Sequence, residues 1–182
     1  MAEQQEEIDF DAEEEKASQD EGVEELGIDD FKSGNFLKTP AVGEELVMEV
    51  EKVVRNRNTT GTNNETGAKF DIGLKQKDGV VKRYDIHTKD GIFTISSWEV
   101  YFKLFDNRAG KEGVLIKYAK EHNNSFTGAK ISIKRLINGT HASMSAEDLA
   151  KVRQCSVEEA AKYKVEVQKA MKEKRIYSVS LI

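Results

Sequence analysis

The chain has 182 residues, enough for one domain of about 100–150 residues with an appendage. Its charge is segregated: residues 1–30 hold fourteen Asp or Glu against one lysine, Lys16, so a whole-chain charge of −5 divides into −13 there and +8 over residues 31–182. The single cysteine, Cys155, excludes an intramolecular disulfide. No apolar run approaches the roughly 18 residues of a membrane span, and the N-terminus lacks a secretory pattern, so a reducing, cytoplasmic setting without membrane contact is expected.

Residues 1–30 contain only Ile8, Phe10, Val23, Leu26 and Ile28 as large apolar side chains. That is too little to offset the entropy of ordering the segment, which reads as a disordered acidic arm. Within it Ile8 and Phe10 stand among Glu6, Glu7, Asp9 and Asp11, a pattern suited to a basic groove with apolar pockets, or simply to solubility. Order is expected from Phe31, where Phe36, Leu37 and Pro40 lead into Gly43.

Leu46, Met48 and Val50 alternate with Val47, Glu49 and Glu51, predicting a long first strand over 44–54. Residues 55–67, rich in Asn, Thr and Gly, read as a polar loop. Phe70, Ile72 and Leu74 alternate with Lys69, Asp71 and Lys75 as a second strand with the apolar set inward. Asp78-Gly79 then supplies the turn into a third strand over 80–88, with Tyr84 and Ile86 on one face and Arg83, Asp85 and His87 on the other.

Ile92–Ile95 is short and β-prone. Ser96 with Glu99 fits a capping box for a helix over 97–106, whose Trp98, Phe102 and Phe105 would lay an aromatic stripe on the sheet. Residues 113–119 and 129–136 read as two further strands around the polar loop 121–128. Past Asn138-Gly139, helices are expected over 146–154 and, with a second capping box at Ser156 and Glu159, over 157–174. Residues 176–182 read as an added strand or docked tail.

Three meandering strands, a helix and two more strands is the element order of the OB-fold. The predicted fold is therefore mainly β: a five-stranded, OB-fold-like Greek-key barrel over residues 31–140 with a plug helix, an acidic arm over 1–30 and a helical C-terminal extension over 141–182. Over 44–136, and at the helix entry Thr94-Ile95-Ser96-Ser97-Trp98, the chain resembles single-stranded DNA-binding proteins of the replication protein A type found in archaea and viruses.

That resemblance implies a ligand face on strands two and three, flanked by the loops 55–68 and 121–128. Cations for phosphates and aromatic faces for bases are the ingredients of single-strand binding. The candidates are Arg55 and Arg57 at the first loop, Lys69, Lys75, Lys82 and Arg83 along the hairpin, and Lys117, Lys130 and Lys134 on the last strands. Phe126, a ring in a polar loop, is the stacking candidate, and His87 is a further outward contact; Tyr84, Phe70, Tyr118 and Trp98 are assigned to the interior. Both DNA and RNA offer these groups.

The histidines His87, His122 and His141 and the lone cysteine have no metal-ligand spacing, and no Gly-rich phosphate loop or Ser–His pairing appears. Neither catalysis nor a cofactor is expected. The leading expectation is single-stranded nucleic-acid binding in replication, recombination or repair. The arm would compete for the binding face or recruit replication or repair proteins through residues 1–30. The alternative is a non-catalytic interaction module within a larger assembly, which predicts an exposed apolar patch on the helix near 157–171.

Overall fold

The computed structural model describes residues 35–182; the expected acidic arm over 1–30 lies outside them. Among the described residues the architecture is mainly β, built from antiparallel sheets with four α-helices.

The expected first strand forms as two pieces, β1 (Glu45–Glu49) and β2 (Lys52–Asn56). The chain changes partners between them without losing hydrogen bonds. The Val50 amide donates to the Ala129 carbonyl at 2.8 Å and the Glu51 amide to the His87 carbonyl at 2.8 Å. Val50 itself is fully buried, which fixes the bend in the core.

The polar stretch after β2 is a hairpin rather than a loop, with β3 (Thr60–Thr62) paired to β4 (Lys69–Asp71). Asn63 closes its turn: its side-chain oxygen accepts from the Glu65 and Thr66 amides. The expected second strand then breaks at Gly73, whose φ of +119° is left-handed and whose added Cβ would lie 2.5 Å from the Lys82 carbonyl oxygen. Past the break, β5 (Leu74–Lys75) pairs with the start of β6 (Val81–Thr88) across the anticipated Asp78-Gly79 turn.

β6 also pairs with β2 along one edge and with β7 (Gly91–Thr94) along the other. Residues 35–37 run beside β7, where the Leu37 amide donates to the Ile92 carbonyl and the Ile92 amide to the Asn35 carbonyl. Gly91 permits this approach, since a Cβ there would meet the Asn35 oxygen at 1.9 Å.

α1 (Trp98–Phe105) forms where expected, but turned about its axis. Val100, Leu104 and Phe105 are its buried residues, while Phe102 is 37% exposed and Trp98 half-buried. Its cap also differs from expectation. Ser97 is the N-cap, and the Glu99 carboxylate accepts from the Ile176 and Tyr177 amides at 3.2 and 2.9 Å, pinning the C-terminal strand to the helix.

Residues 113–119, read from sequence as a strand, fall instead at the start of and within helix α2 (Val114–Glu121). Leu115, Ile116 and Ala119 make its buried face, a spacing that only a helix brings together. Buried Gly113 lets it start against α1, for a Cβ there would lie 2.3 Å from the Leu104 backbone.

β8 (Lys130–Arg135) returns to pair with β1. A 3₁₀ turn at Gly139–Ser143 leads to α3 (Ala146–Arg153) and α4 (Val157–Lys172), whose N-caps, Ser145 and Ser156, hold their first turns; both halves of the expected Ser156–Glu159 capping box are present. The last strand, β9 (Tyr177–Leu181), pairs with β8, so the segment read as an extension contributes a strand to the sheet.

The strand order is thus β7–β6–β2, continuing through the bend as β1–β8–β9. Among the described residues no ladder joins β7 to β9, and the sheets do not close into a barrel. Ile86, Phe93, Leu104, Leu115, Ile131 and Ile133 anchor the main core, where truncating any one to Ala costs about 2–5 kcal/mol. A smaller core of Leu149, Ala150 and Ala160 joins α3 to α4. No helix among the described residues is long and apolar enough to cross a membrane.

Candidate nucleic-acid interface

The hairpin arm formed by β3 and β4 is rooted on a buried polar network. Asp85, 1% exposed, lies on the side of β6 facing away from Ile86, and its carboxylate receives three neighbours. Arg83 Nε donates at 3.0 Å, Thr94 Oγ1 at 2.6 Å and Asn56 Nδ2 at 3.0 Å. Arg83 also donates from its terminal nitrogen to the Asn58 carbonyl, while Asn56 Oδ1 accepts from the Asn58 amide.

A buried charge is tolerated only when paired and hydrogen-bonded, so this network fixes the direction in which the chain leaves β2. It also changes the role of Arg83. Expected as a phosphate contact, it is 6% exposed and committed to Asp85, which makes it a support for the arm.

Arg55, Arg57 and Lys82 line one cavity of about 210 Å³, together with residues that include Thr59, Val80 and Arg83. Lys69 and Lys75 stand on exposed positions of the arm and its root, Lys75 within 3.5 Å of Asp71. Residues 55–83 contain seven Lys or Arg and three Asp or Glu, whereas residues 36–140 together carry eighteen and thirteen. Of the net +5 over the longer range, +4 therefore belongs to this arm and its root.

Phe70, assigned to the interior from its alternation, is 53% exposed on β4. Its ring lies directly over its cross-strand partner Gly61, where a Cβ would sit 2.5 Å from Phe70 Cζ. The one sequence signal for this placement was a glycine opposite an aromatic ring. An aromatic half open to solvent beside a cation surplus is the combination that base stacking requires.

The other candidates fall elsewhere. His87 pairs across from Lys52 further along β6 and is half-buried. Burial and the Lys52 ammonium lower its pKa below the ordinary histidine value, which keeps it uncharged at neutral pH. Lys117 is exposed on α2 rather than on a strand. Lys130 and Lys134 stand on β8 directly across from Glu49 and Glu45, and Lys130 Nζ is 3.7 Å from the Glu49 carboxylate.

Phe126, the expected stacking ring, is half-buried and packs edge-on against Phe105 at 5.7 Å. It belongs to the main core because α1 reaches it, a contact invisible in its local sequence. Tyr118 stacks on His122 at 3.8 Å, and its hydroxyl donates to the Thr127 carbonyl. The loop 121–128 links α2 to β8, while the connection between the last two sheet strands is 136–176 with its two helices. No group of three His, Cys, Asp or Glu residues among the described ones is placed to hold a metal ion. Compared with protein-family models, with curated proteins and with solved structures, the chain matches none.

Proposed function

We propose that this chain is a non-catalytic single-stranded nucleic-acid-binding protein, most simply of single-stranded DNA, acting inside the cell in replication, recombination or repair. The observation that carries the reading is the hairpin arm: nearly all the cation surplus of residues 36–140 lies at 55–83, beside the half-exposed Phe70.

An OB-like barrel is part of the proposal. Three antiparallel strands in the order of the chain, β1–β2, β6 and β7, with a fourth, β8, returning beside the first, follow the Greek-key pattern. β9 adds the fifth strand, and α1 with α2 occupies the connection before β8. Barrels of this class are partly open, and they bind oligonucleotides beside the connection between their first two strands. In this chain that connection is the arm.

The acidic residues 1–30 would compete with nucleic acid for the arm at the high effective concentration a tether provides, or recruit partner proteins. Anisotropy with labelled oligo-dT, oligo-U and duplex DNA at about 50 and 200 mM salt tests the reading. Preference for single strands with a steep fall in salt is expected; no binding at micromolar protein contradicts it.

A second reading, a protein-interaction module in a larger assembly, is favoured by one observation. Val157, Val165 and Met171 on α4 are 48%, 63% and 48% exposed. A protein that binds no oligonucleotide but captures a defined partner through α4 would establish it.

A further inference from the structure

The α1 helix leaves an unexplained groove along the edge of its core face that carries Trp98 and Phe102. Trp98 and Phe102, stacked with ring centroids 5.8 Å apart, line it together with Met171 and Ile176. Two adjoining cavities of about 520 and 710 Å³ share Phe102 and Lys174. Their linings together carry six cationic and three anionic side chains. Glu99 is taken up by Lys103 and two backbone amides, Asp106 by Arg108 and Glu112 by Lys120, while Arg175 pairs with Glu173. Among the described residues the lining cations outside any salt bridge are thus Lys111, Arg135 and Lys174.

Two further observations ask for an anionic occupant. Arg135 lines the smaller cavity, and its Nε is buried without a hydrogen-bond partner. Such a donor costs about 1–3 kcal/mol unless an acceptor reaches it. Lys174 follows α4 at a φ of +54°, the left-handed position that usually belongs to glycine, and holds its ammonium 5.1 Å from the Phe102 ring. A non-glycine residue there accepts backbone strain while its side chain caps the groove.

We propose that this groove is the docking site of the chain's own acidic segment, residues 6–11, with Phe10 and Ile8 against Trp98, Phe102 and Met171. Asp9 and Asp11 would meet Arg135 and Lys174. The match is one of charge and pattern: two apolar side chains two residues apart, each flanked by carboxylates, against an aromatic wall with a cationic rim. Reach is not limiting. Phe10 and Asn35 are twenty-five residues apart, a chain that can extend about 80 Å, against a diameter of roughly 30–40 Å for a domain of this size. The inference stands whether or not the chain binds nucleic acid.

Trp98 is the sole tryptophan, so its fluorescence reports the groove directly. The experiment compares the full chain with full-length Ile8→Ala/Phe10→Ala and Lys174→Glu variants, by emission maximum and iodide and acrylamide quenching, with circular dichroism confirming the fold. Both variants should show red-shifted emission and about twofold or greater quenching, independent of protein concentration, because a tethered segment acts at about millimolar effective concentration. A synthetic peptide of residues 5–12 at similar concentration should reverse the change in the arm variant. Identical quenching in the parent and arm variant overturns the proposal. So does protection of Trp98 that disappears on dilution, which would assign the groove to a second copy, or protection conferred only by oligo-dT, which would assign it to nucleic acid.

Discussion

Two strand surfaces of this protein carry lysines and arginines at alternating positions, and they differ in what stands opposite. On β8, Lys130 and Lys134 face Glu49 and Glu45 rung by rung, while Ser132 donates to Glu45 between them. At the root of the hairpin arm, Arg55, Arg57 and Lys82 converge on one cavity. Asp85, across from Val54 in the same pair of strands, is buried and bonded to Arg83. Register thus sets Lys130 and Lys134 opposite carboxylates on β8, whereas the root of the arm gathers Arg55, Arg57 and Lys82 around one cavity.

The largest test of this contrast removes the root of the arm. Asp85→Ala leaves the Arg83 guanidinium buried without its carboxylate, and breaking such a pair costs about 3–5 kcal/mol. Urea unfolding should show that loss, whereas Glu49→Ala, which removes an exposed partner of Lys130, should change stability by less than about 1 kcal/mol. Equal effects would dissolve the distinction between the two surfaces.

Next in size is the exchange of roles between two phenylalanines. Phe70→Ala should weaken oligo-dT binding by about 1–3 kcal/mol while leaving the melting temperature nearly unchanged. Phe126→Ala should do the reverse, lowering stability through the lost packing on Phe105 and leaving affinity close to that of the parent. Anisotropy and thermal melts on the two variants measure both arms.

The smallest expected effect is on pH. His87 and His141 both have pKa values lowered from 6.5, mainly by burial, with Lys52 next for His87 and Arg153 next for His141. Below that value the unfolded chain takes up protons first. Stability from these groups is thus present above about pH 6.5 and is lost as pH falls through the lowered values of the folded state. A shallower loss between about pH 7 and 5 in a His87→Gln/His141→Gln variant checks it.

Much of the framework was legible in the sequence where local pattern and tertiary burial agree. Residues 81–88 alternate around Tyr84 and Ile86, both buried, and the Ser156–Glu159 box marks the start of α4. The misreadings have local causes. Val114-Leu115-Ile116 is a short apolar run whose period cannot separate strand from helix, and only burial of Ala119 with Leu115 and Ile116 decides it.

Phe70 was assigned inward because Phe70, Ile72 and Leu74 share parity. Left-handed Gly73 ends that strand, so Leu74 joins the core in a different pairing while Phe70 stays on the arm. Phe126 and Arg83 were misplaced for the opposite reason: their partners, Phe105 and the Asp85 network, are supplied by tertiary structure that no loop or charge pattern announces. The groove beside α1 was hidden because an aromatic stripe at helical spacing reads as core, whereas the helix buries Val100 and Leu104 with Phe105 and leaves Phe102 exposed.

The most direct test of the central claim compares the salt dependence of oligo-dT binding in two full-length double variants, Arg55→Gln/Arg57→Gln and Lys130→Gln/Lys134→Gln. The account predicts that the arginine variant binds about tenfold more weakly and loses about 1–1.5 from the slope of log affinity against log salt, since each single-strand phosphate contact contributes about 0.7. The lysine variant should keep the parent slope. The opposite pattern, or equal loss in both, would contradict the placement of the interface on the hairpin arm.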